Sequence, residues 1–371
     1  MSIYQRVLEF IQTPRAERFE PLALEVFRYQ YAQVAAYRSY CDGRGASPTT
    51  VRTLADVPYA STVAFKYAEI INAEQTAAAG LTFITSGTTK GFDERGRHRV
   101  PRPEIYRASA IAHLRRMIFP DGVRMAMLAM HPTAELMPES SLSRMIGWCI
   151  EEFGAGEAMC AATRAGVDVG GAAQFLGAMA GRGAPVCILG TTASCAALFA
   201  RLRERGEKIR LANGSRLMDT GGAKGQTIPL SAGAVVAYAG ELLGLEPALV
   251  INEYGMTEMC SQLYDATPFN CAHTAGAAGA RMKLAPPWLG PVAIDPLTMR
   301  PAPAGAVGML AFFDLANVGS ISALMTEDFG MTRDGAVAIL GRAAAGGARG
   351  CALAIDEFAD RELRRVAAGP R

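Results

Sequence analysis

The amino-acid sequence predicts an α/β fold with a substantial parallel or mixed sheet and, nearer its carboxyl end, a β-rich subdomain. From residue 81 onward, short apolar runs alternate with stretches of helical spacing, a pattern typical of strands joined by helices. Half of the 371 residues are hydrophobic and only 19% are charged, so the chain can bury a large core. After residue 285 the pattern changes to short strands and proline- and glycine-rich turns, which indicates the β-rich part.

The expected elements follow the chain in order. Residues 21–40 place Phe27, Tyr31 and Val34 at helical spacing, so a helix near the amino end is expected. The β-prone run LTFIT precedes a loop of small residues and a helical stretch at 105–117. Further apolar runs that precede helical stretches lie at 125–130, 185–189 and 248–251.

The predicted boundaries give one large domain at 1–340, with the β-rich subdomain at about 285–340. The stretch GRAAAGGARG at 341–350 is flexible by composition and is expected to act as a hinge. Only about twenty residues follow it, too few for an independent domain. The segment 341–371 is therefore expected to form a hinge and a short carboxyl-terminal segment.

Composition and charge exclude several classes of protein. The chain has 37 basic and 35 acidic residues and a net charge of +2, so binding to nucleic acid or to an acidic membrane is not expected. The first residues include acids, and the uncharged stretch 183–200 contains proline and glycine, so we expect neither a signal peptide nor a membrane span. The eight cysteines form no CxxC pair, which predicts reduced thiols, mostly in the core, of a cytoplasmic protein.

The first motif with chemical content is TSGTTKG at 85–91, directly after a predicted strand. Glycine lets the backbone approach an anion, and hydroxyl and amide groups donate to phosphate oxygens. The GxxxxGK[ST] pattern of a Walker A loop is absent. Taken alone, the motif is equally well interpreted as a phosphate-binding loop or as a polar turn.

Two further motifs follow later in the chain. In NEYGMTE at 252–258, an aromatic ring beside a glycine can stack on a base, and a hydroxyl and a carboxylate can serve phosphate and Mg²⁺. In TED at 326–328, a carboxylate can accept hydrogen bonds from both ribose hydroxyls, and Gly341-Arg342 lies fourteen residues beyond Asp328. The alternatives are a strand-to-helix turn with a capping threonine and charged surface loops.

Together and in this order, these motifs resemble the adenylate-forming superfamily of acyl-CoA synthetases, luciferases and peptide-synthetase adenylation domains. The resemblance narrows to the LuxE-type acyl-protein synthetases, the long-chain fatty acid–luciferin component ligase family. The matching stretches are FITSGTTKG, MDTGGAKG, INEYGMTEMCSQLYD, FFDLAN, TEDFG and the final GR…ARGCALAIDEF. The resemblance implies the large amino-terminal domain of an adenylate-forming enzyme, with a strongly truncated carboxyl-terminal domain.

The resemblance also implies which residues bind ATP and Mg²⁺, the two expected cofactors. The triphosphate would be held by Ser86, Gly87, Thr88, Thr89 and Lys90. Gly221 and Gly222 would lie along the adenine, and Tyr254 with Gly255 would flank the base. Thr257 and Glu258 would bind phosphate and Mg²⁺. Asp328 would bind the ribose, and Arg342 would bind the ribose or a phosphate.

Three residues are expected at the reacting groups in addition to Glu258. Full-length adenylating enzymes use a lysine of a mobile carboxyl-terminal domain, whereas the five lysines of this chain end at Lys283. Lys224 of the GGAKG block is the expected substitute, and a solvated turn lysine is the alternative. The resemblance places the acyl-accepting cysteine at Cys351, where a buried small residue is the alternative. His131 is expected to line the acyl pocket, with an ordinary turn histidine as the alternative.

The sequence therefore predicts an ATP-dependent acyl-protein synthetase, an AMP-forming carboxylate ligase. A fatty or other apolar carboxylic acid would become an acyl adenylate and then a thioester on Cys351, for delivery to a partner such as an acyl reductase or acyltransferase. The alternatives are an acyl- or aryl-CoA ligase, a ligase with an amine acceptor, and a catalytically silent protein that binds a nucleotide or a partner.

Overall fold

A computed structural model describes residues 1–73, 80–85, 95–163, 166–221, 230–271 and 281–342. It divides into two compact units, and each is described by itself. The first unit comprises residues 1–109, 257–261 and the chain from 276 onward. The second unit comprises residues 110–256 and 262–275.

The helices of the described residues lie in both units. They are α1 (Ile3–Gln12), α2 (Phe19–Gln33), α3 (Ala35–Asp42), α4 (Ala64–Tyr67), α5 (Pro103–Met117), α6 (Ser141–Phe153), α7 (Val169–Gly181), α8 (Thr192–Glu204) and α9 (Ala232–Leu243). The single helix expected at 21–40 is two helices, because the buried Val34 adopts an extended conformation between α2 and α3. No helix of the described residues is long and apolar enough to cross a membrane.

The strands of the described residues range from two residues in β1 to eleven residues in β15. They are β1 (Ala60–Ser61), β2 (Leu81–Ile84), β3 (Arg97–Val100), β4 (Met125–Met130), β5 (Gly154–Cys160), β6 (Ala162–Thr163), β7 (Gly166–Val167), β8 (Val186–Thr191), β9 (Arg216–Thr220), β10 (Val250–Tyr254), β11 (Leu263–Asp265), β12 (Lys283–Leu284), β13 (Leu289–Ile294), β14 (Val307–Asp314), β15 (Ala323–Arg333) and β16 (Ala336–Arg342).

The second unit contains a parallel sheet in the order β5-β4-β8-β9-β10, with β11 antiparallel on β10. Every residue of β4 is buried, as expected for a parallel strand covered on both faces. Ala126, Leu128 and Met130 of β4 pack into a core with residues of α7, α8 and α9. The predicted alternation of strands and helices is therefore confirmed in this unit.

The first unit contains an antiparallel sheet in the order β13-β14-β15-β16-β12, with β1 parallel to β15. Its strands fall between residues 283 and 342, where the sequence predicts short strands and turns. A separate hairpin pairs β2 with β3. In the sequence, residues 86–94, which include most of the predicted phosphate loop, lie between β2 and β3.

Candidate functional site

In the second unit, the carboxyl ends of four parallel strands lie side by side. Met130 of β4 pairs with Gly190 of β8, and Gly190 pairs with Asp219 of β9. Asn252 of β10 is the next partner of Asp219. Open α/β sheets bind their ligands outside the carboxyl ends of the strands. Four residues predicted for the site lie at this edge: His131, Gly221, Tyr254 and Gly255.

Buried hydrogen bonds connect these strand ends. Asp219 is 1% exposed, and its Oδ2 accepts from Thr192 Oγ1 at 2.7 Å and from Asn252 Nδ2 at 3.0 Å. Glu253 is also buried, and its Oε2 accepts from the hydroxyl of Thr220. Both carboxylates are thus engaged within the unit, where they fix the stretches that begin with Gly221 and Tyr254.

Two of the described glycines at this edge, Gly221 and Gly255, are favoured for different reasons. Gly221 has φ +89°, a left-handed conformation that strains other residues. Gly255 lies so close to Glu253 that an added Cβ would be 2.4 Å from its Oε1 atom. The expectation that Gly221 lies along an adenine stays a prediction.

His131 follows β4 directly, and its Nε2 lies 3.4 Å from Ser140 Oγ. Burial lowers the pKa of His131 to about 4, so the imidazole is neutral near pH 7. A neutral ring beside a strand end is compatible with an apolar acyl group. Its assignment to an acyl pocket stays a prediction.

In the first unit, polar side chains hold the backbone of the segment 257–261. His98 Nδ1 donates to the Thr257 carbonyl at 2.7 Å, and His98 Nε2 lies 2.8 Å from Asn317 Oδ1. Asn317 Nδ2 donates to the carbonyls of Glu258 at 2.9 Å and Ile321 at 2.8 Å. His98 is fully buried, and this burial lowers its pKa to about 4. The backbone at Thr257 and Glu258 is therefore fixed from two sides.

Asp314, at the end of β14, holds the other end of this segment. Its carboxylate accepts from the Cys260 amide at 2.9 Å, from Ser261 Oγ at 2.6 Å and from the Ala316 amide at 3.1 Å. Burial raises the pKa of Asp314 to about 6 although these donors oppose the shift. The matching stretch FFDLAN thus contains two residues, Asp314 and Asn317, that support the segment carrying Glu258.

The Glu258 carboxylate differs from these engaged carboxylates. Within the described part of the chain, no side chain donates a hydrogen bond to it, although Glu258 is partly buried. Burial raises its pKa to about 6, while the positive charges of Arg342 and Lys66 oppose the shift. A partly buried acid with nearby cations and no side-chain donor is typical of a ligand-binding position.

Asp328 and Arg342, fourteen residues apart in the sequence, are direct cross-strand partners in β15 and β16. Arg342 Nε donates to Asp328 Oδ1 at 3.3 Å, and its Nη1 lies 3.4 Å from Glu327 Oε2. The strand register therefore brings together the two residues predicted to bind the ribose.

Mg²⁺ prefers oxygen ligands such as carboxylates. Among the described residues, no group of three or more histidine, cysteine, aspartate or glutamate side chains could hold a metal ion. Mg²⁺ in nucleotide sites is usually bound by one or two carboxylates together with phosphates and water. A single carboxylate such as Glu258 fits that mode of binding.

Several predicted site residues lie outside the described residues. They are Ser86, Gly87, Thr88, Thr89, Lys90, Gly222, Lys224 and Cys351. Seven cysteines are described and all are free. Five of them are buried, as expected for thiols mostly in the core, whereas Cys160 is exposed at the end of β5 and Cys271 is only partly buried.

Sequence analysis did not identify His98, Asn317 or Asp314 as supports of the site. In the sequence RHRV of β3, the period of two places His98 and Val100 on one face, and both are buried. That alternation could have identified His98 as an inward-facing polar residue. Arg97, which precedes His98 and lies on the other face, is exposed.

Comparison with known proteins defines the class of fold. No family model matches the chain. A crystal structure of 2-hydroxyisobutyryl-CoA ligase with 2-HIB-AMP has a TM-score of 0.64 at 18% identity, over 89% of this chain and 69% of that chain. An open conformation of that ligase with 2-HIB-AMP and CoA gives 0.62 at 19% identity, over 91% and 78%. The chain therefore has the α/β fold of an adenylate-forming ligase, as predicted.

A curated relative agrees with the more specific resemblance. The long-chain-fatty-acid–luciferin-component ligase of Vibrio harveyi is 33% identical over 79 residues. The match covers 19% of this chain and 21% of that protein, so the chain spans about a fifth of its matched relative. The predicted resemblance to this ligase is confirmed over that stretch.

Proposed function

We propose that this protein activates a carboxylic acid with ATP and then carries the acyl group on a cysteine. The observation that carries the proposal is the Glu258 carboxylate, which has no side-chain donor among the described residues and lies near Arg342 and Lys66. It occurs in a chain with the fold of a ligase whose crystal structure contains an acyl adenylate, 2-HIB-AMP. An ionised carboxylate amid cations suits a Mg²⁺-bound polyphosphate better than it suits an apolar partner surface.

In the first half-reaction, a carboxylate oxygen of the acid attacks the α-phosphorus of ATP. The bond from that phosphorus to the bridging oxygen breaks, so acyl-AMP forms and pyrophosphate leaves. Asp328 and Arg342 would hold the ribose side, and Tyr254, Gly255 and Gly221 the base. Ser86, Gly87, Thr88, Thr89, Lys90, Gly222 and Thr257 complete the proposed nucleotide contacts.

Glu258 would bind Mg²⁺, which supplies positive charge to the phosphate oxygens when bound. His98 and Asn317 keep the carbonyls of Thr257 and Glu258 in place. Because the backbone is fixed in advance, little reorganisation is needed as charge develops on the leaving group. Lys224 would lie against the reacting carboxylate and stabilise the transition state rather than bound ATP.

In the second half-reaction, the Cys351 thiolate attacks the acyl carbon of the adenylate. The carbon–oxygen bond to AMP breaks, AMP leaves with the bond electrons, and the thiol proton goes to solvent. The product is a thioester that a partner such as an acyl reductase or acyltransferase would consume. The Vibrio relative is a ligase of long-chain fatty acids by name, which favours an apolar long-chain acid as the substrate. His131 would line the pocket that binds this acid. We expect this reaction to take place in the cytoplasm.

The two half-reactions provide the test. Cys351→Ser should retain acid-dependent ATP–pyrophosphate exchange, because adenylation does not use the thiol, and it should lose covalent labelling by the radioactive acid. Neutral hydroxylamine should release the label from the wild type, as expected for a thioester. Cys160→Ser, which removes an exposed thiol at the end of β5, is the matched control and should keep both activities.

Normal labelling of Cys351→Ser would exclude Cys351 as the acyl acceptor, and loss of label in Cys160→Ser would move the acceptor to that residue. A second candidate function is that of a CoA ligase, because the similar solved structures are those of 2-hydroxyisobutyryl-CoA ligase. Coenzyme A would then be the acceptor. Formation of acyl-CoA at equal rates by the wild type and by Cys351→Ser would support this second function.

A further inference from the structure

The short helix α4 packs closely against the end of the β2–β3 hairpin in the first unit. The Thr85 amide donates to the Gly96 carbonyl at 2.9 Å, and the Gly96 amide donates to Thr85 Oγ1 at 2.8 Å. An added Cβ on Gly96 would lie 3.1 Å from the carbonyl carbon and oxygen of Phe65. A side chain at residue 96 would therefore push α4 away from the hairpin.

The same helix is connected to the segment that carries Glu258. The ring of Phe65 contacts the ring of His98 edge-on, with centroids 5.5 Å apart. His98 in turn donates to the Thr257 carbonyl. Since Phe65 and His98 are both buried, the position of α4 relative to Thr257 and Glu258 is fixed by packing.

Lys66 follows Phe65 on this helix, and its side chain is exposed. The packing of Phe65 on His98 places this helix beside the backbone of Thr257 and Glu258. In agreement with that position, the positive charges of Arg342 and Lys66 lower the pKa of Glu258, against the larger effect of burial. Arg342 is already engaged, since it lies 3.3 Å from Asp328 and 3.4 Å from Glu327. In the described part of the chain, no carboxylate oxygen lies within 4.0 Å of Lys66 Nζ, so Lys66 forms no ion pair there.

We propose that Lys66 binds phosphate oxygens of the nucleotide beside Glu258. The inference rests on the proposed adenylation, to which it adds a residue. A lysine ammonium is a compact charge with three donors and is a common phosphate ligand. Glu258 would hold the positive metal ion and Lys66 the negative oxygens, so the two opposite charges would serve one polyphosphate. On cleavage, Lys66 would stabilise the charge of the departing pyrophosphate.

Titration calorimetry with MgATP and with pyrophosphate tests this role directly. Lys66→Met should weaken the binding of both by about tenfold or more, because a charged hydrogen bond to phosphate is lost. Its acid-dependent ATP–pyrophosphate exchange should fall by about 100-fold, since the leaving group is stabilised less. Lys66→Arg keeps the charge and should restore binding to within a few-fold of the wild type.

The matched control is Lys208→Met, which removes another exposed lysine, 3.8 Å from Glu241 in the second unit. It should bind and exchange like the wild type. Binding of MgATP and pyrophosphate by Lys66→Met at the wild-type level would overturn the proposal, as would an equal loss in the Lys208 variant. If the wild type binds MgATP but shows ATP–pyrophosphate exchange with no acid, the proposed adenylation is contradicted. The binding of MgATP and pyrophosphate by the wild type and by Lys66→Met would still decide the role of Lys66.

Discussion

Two glutamates five residues apart, Glu253 and Glu258, have opposite environments. Glu253 belongs to the second unit, is 4% exposed, and accepts a hydrogen bond from the hydroxyl of Thr220. Glu258 belongs to the first unit, is partly buried, and receives no side-chain hydrogen bond within the described residues. The comparison shows that an acid already bonded inside its unit stabilises the fold, whereas an acid without such a bond is available to a ligand.

Two buried aspartates resemble Glu253, because their carboxylates are also hydrogen-bonded inside their units. Asp219 in the second unit accepts from Thr192 and Asn252, and Asp314 in the first unit accepts from Cys260, Ser261 and Ala316. Asp219 thus connects two side chains, and Asp314 fixes two backbone amides, next to the site. Removing a buried acceptor leaves its donors unpaired, at a cost of about 1–3 kcal/mol.

The largest effect is expected from replacing each glutamate with glutamine. Glu258→Gln should lower acid-dependent ATP–pyrophosphate exchange by about 10²–10³-fold, because a neutral amide is a poor Mg²⁺ ligand. Glu253→Gln should exchange at close to the wild-type rate at saturating substrate, because the amide oxygen can still accept from Thr220. Initial rates over a range of Mg²⁺ concentrations check both expectations.

Circular dichroism melting provides the control for folding in both variants. A fully active Glu258→Gln enzyme would remove the central carboxylate from the mechanism. A comparable loss of exchange in a folded Glu253→Gln enzyme would mean that both acids take part, so the distinction between them would not hold.

An intermediate effect is expected from the asparagine that fixes the backbone of Glu258. Asn317→Asp removes the donor to the carbonyls of Glu258 and Ile321, so exchange activity should fall about tenfold, or about 1.4 kcal/mol in barrier height. Amide hydrogen–deuterium exchange in a peptide covering 257–261 should also become faster. Asn270→Asp is the matched control, since Asn270 Nδ2 donates to the carbonyls of Met117 at 3.1 Å and Asp265 at 2.9 Å.

The control variant should lose a similar amount of thermal stability without faster exchange at 257–261. If amide hydrogen–deuterium exchange in the peptide 257–261 is equally fast in the two variants, Asn317 is only a stabilising residue. If Asn317→Asp protects the segment as well as the wild type does, the support assigned to this side chain is wrong.

The sequence was sufficient to predict the elements that depend on local patterns. The apolar runs at β2, β4, β8 and β10 and the strands near the carboxyl end all follow from periodicity and turn residues. The motif stretches of the described residues could also be found, because each lies within a strand or directly after one. The domain boundary at residue 340 stays a prediction.

The supports of the site could not be predicted in the same way. His98 and Thr257 are 159 residues apart, and Asn317 is 59 residues from Glu258, so these contacts depend on the whole fold. Nor does the stretch INEYGMTE distinguish Glu253 from Glu258 in chemical type. Only the hydrogen-bond partners in the structure separate the two.

The smallest expected effect concerns stability and its dependence on pH. Burial raises the pKa of Glu258 from 4.5 to about 6, so the native state binds more protons than the unfolded state between these values. The free energy of unfolding therefore falls as the pH rises through this window, by about 1–2 kcal/mol. Glu258→Gln remains neutral and should escape this loss.

In metal-free buffer, urea unfolding should give equal stabilities for the wild type and Glu258→Gln near pH 4.5. At pH 7.5 the variant should be more stable by about 1–2 kcal/mol. Asp314, whose pKa is also raised to about 6, is present in both proteins and cancels in the difference. A variant that is less stable than the wild type at both pH values would show that Glu258 is a stabilising residue.

The proposal that this protein forms acyl adenylates is tested most directly by ATP–pyrophosphate exchange of the wild type with a panel of carboxylic acids. The panel should include saturated acids of increasing chain length, aromatic acids and 2-hydroxyisobutyrate. We predict Mg²⁺-dependent exchange that requires an added acid and is strongest with an apolar one. Binding of MgATP without exchange for any acid would contradict the account and support a nucleotide-binding protein without catalytic activity.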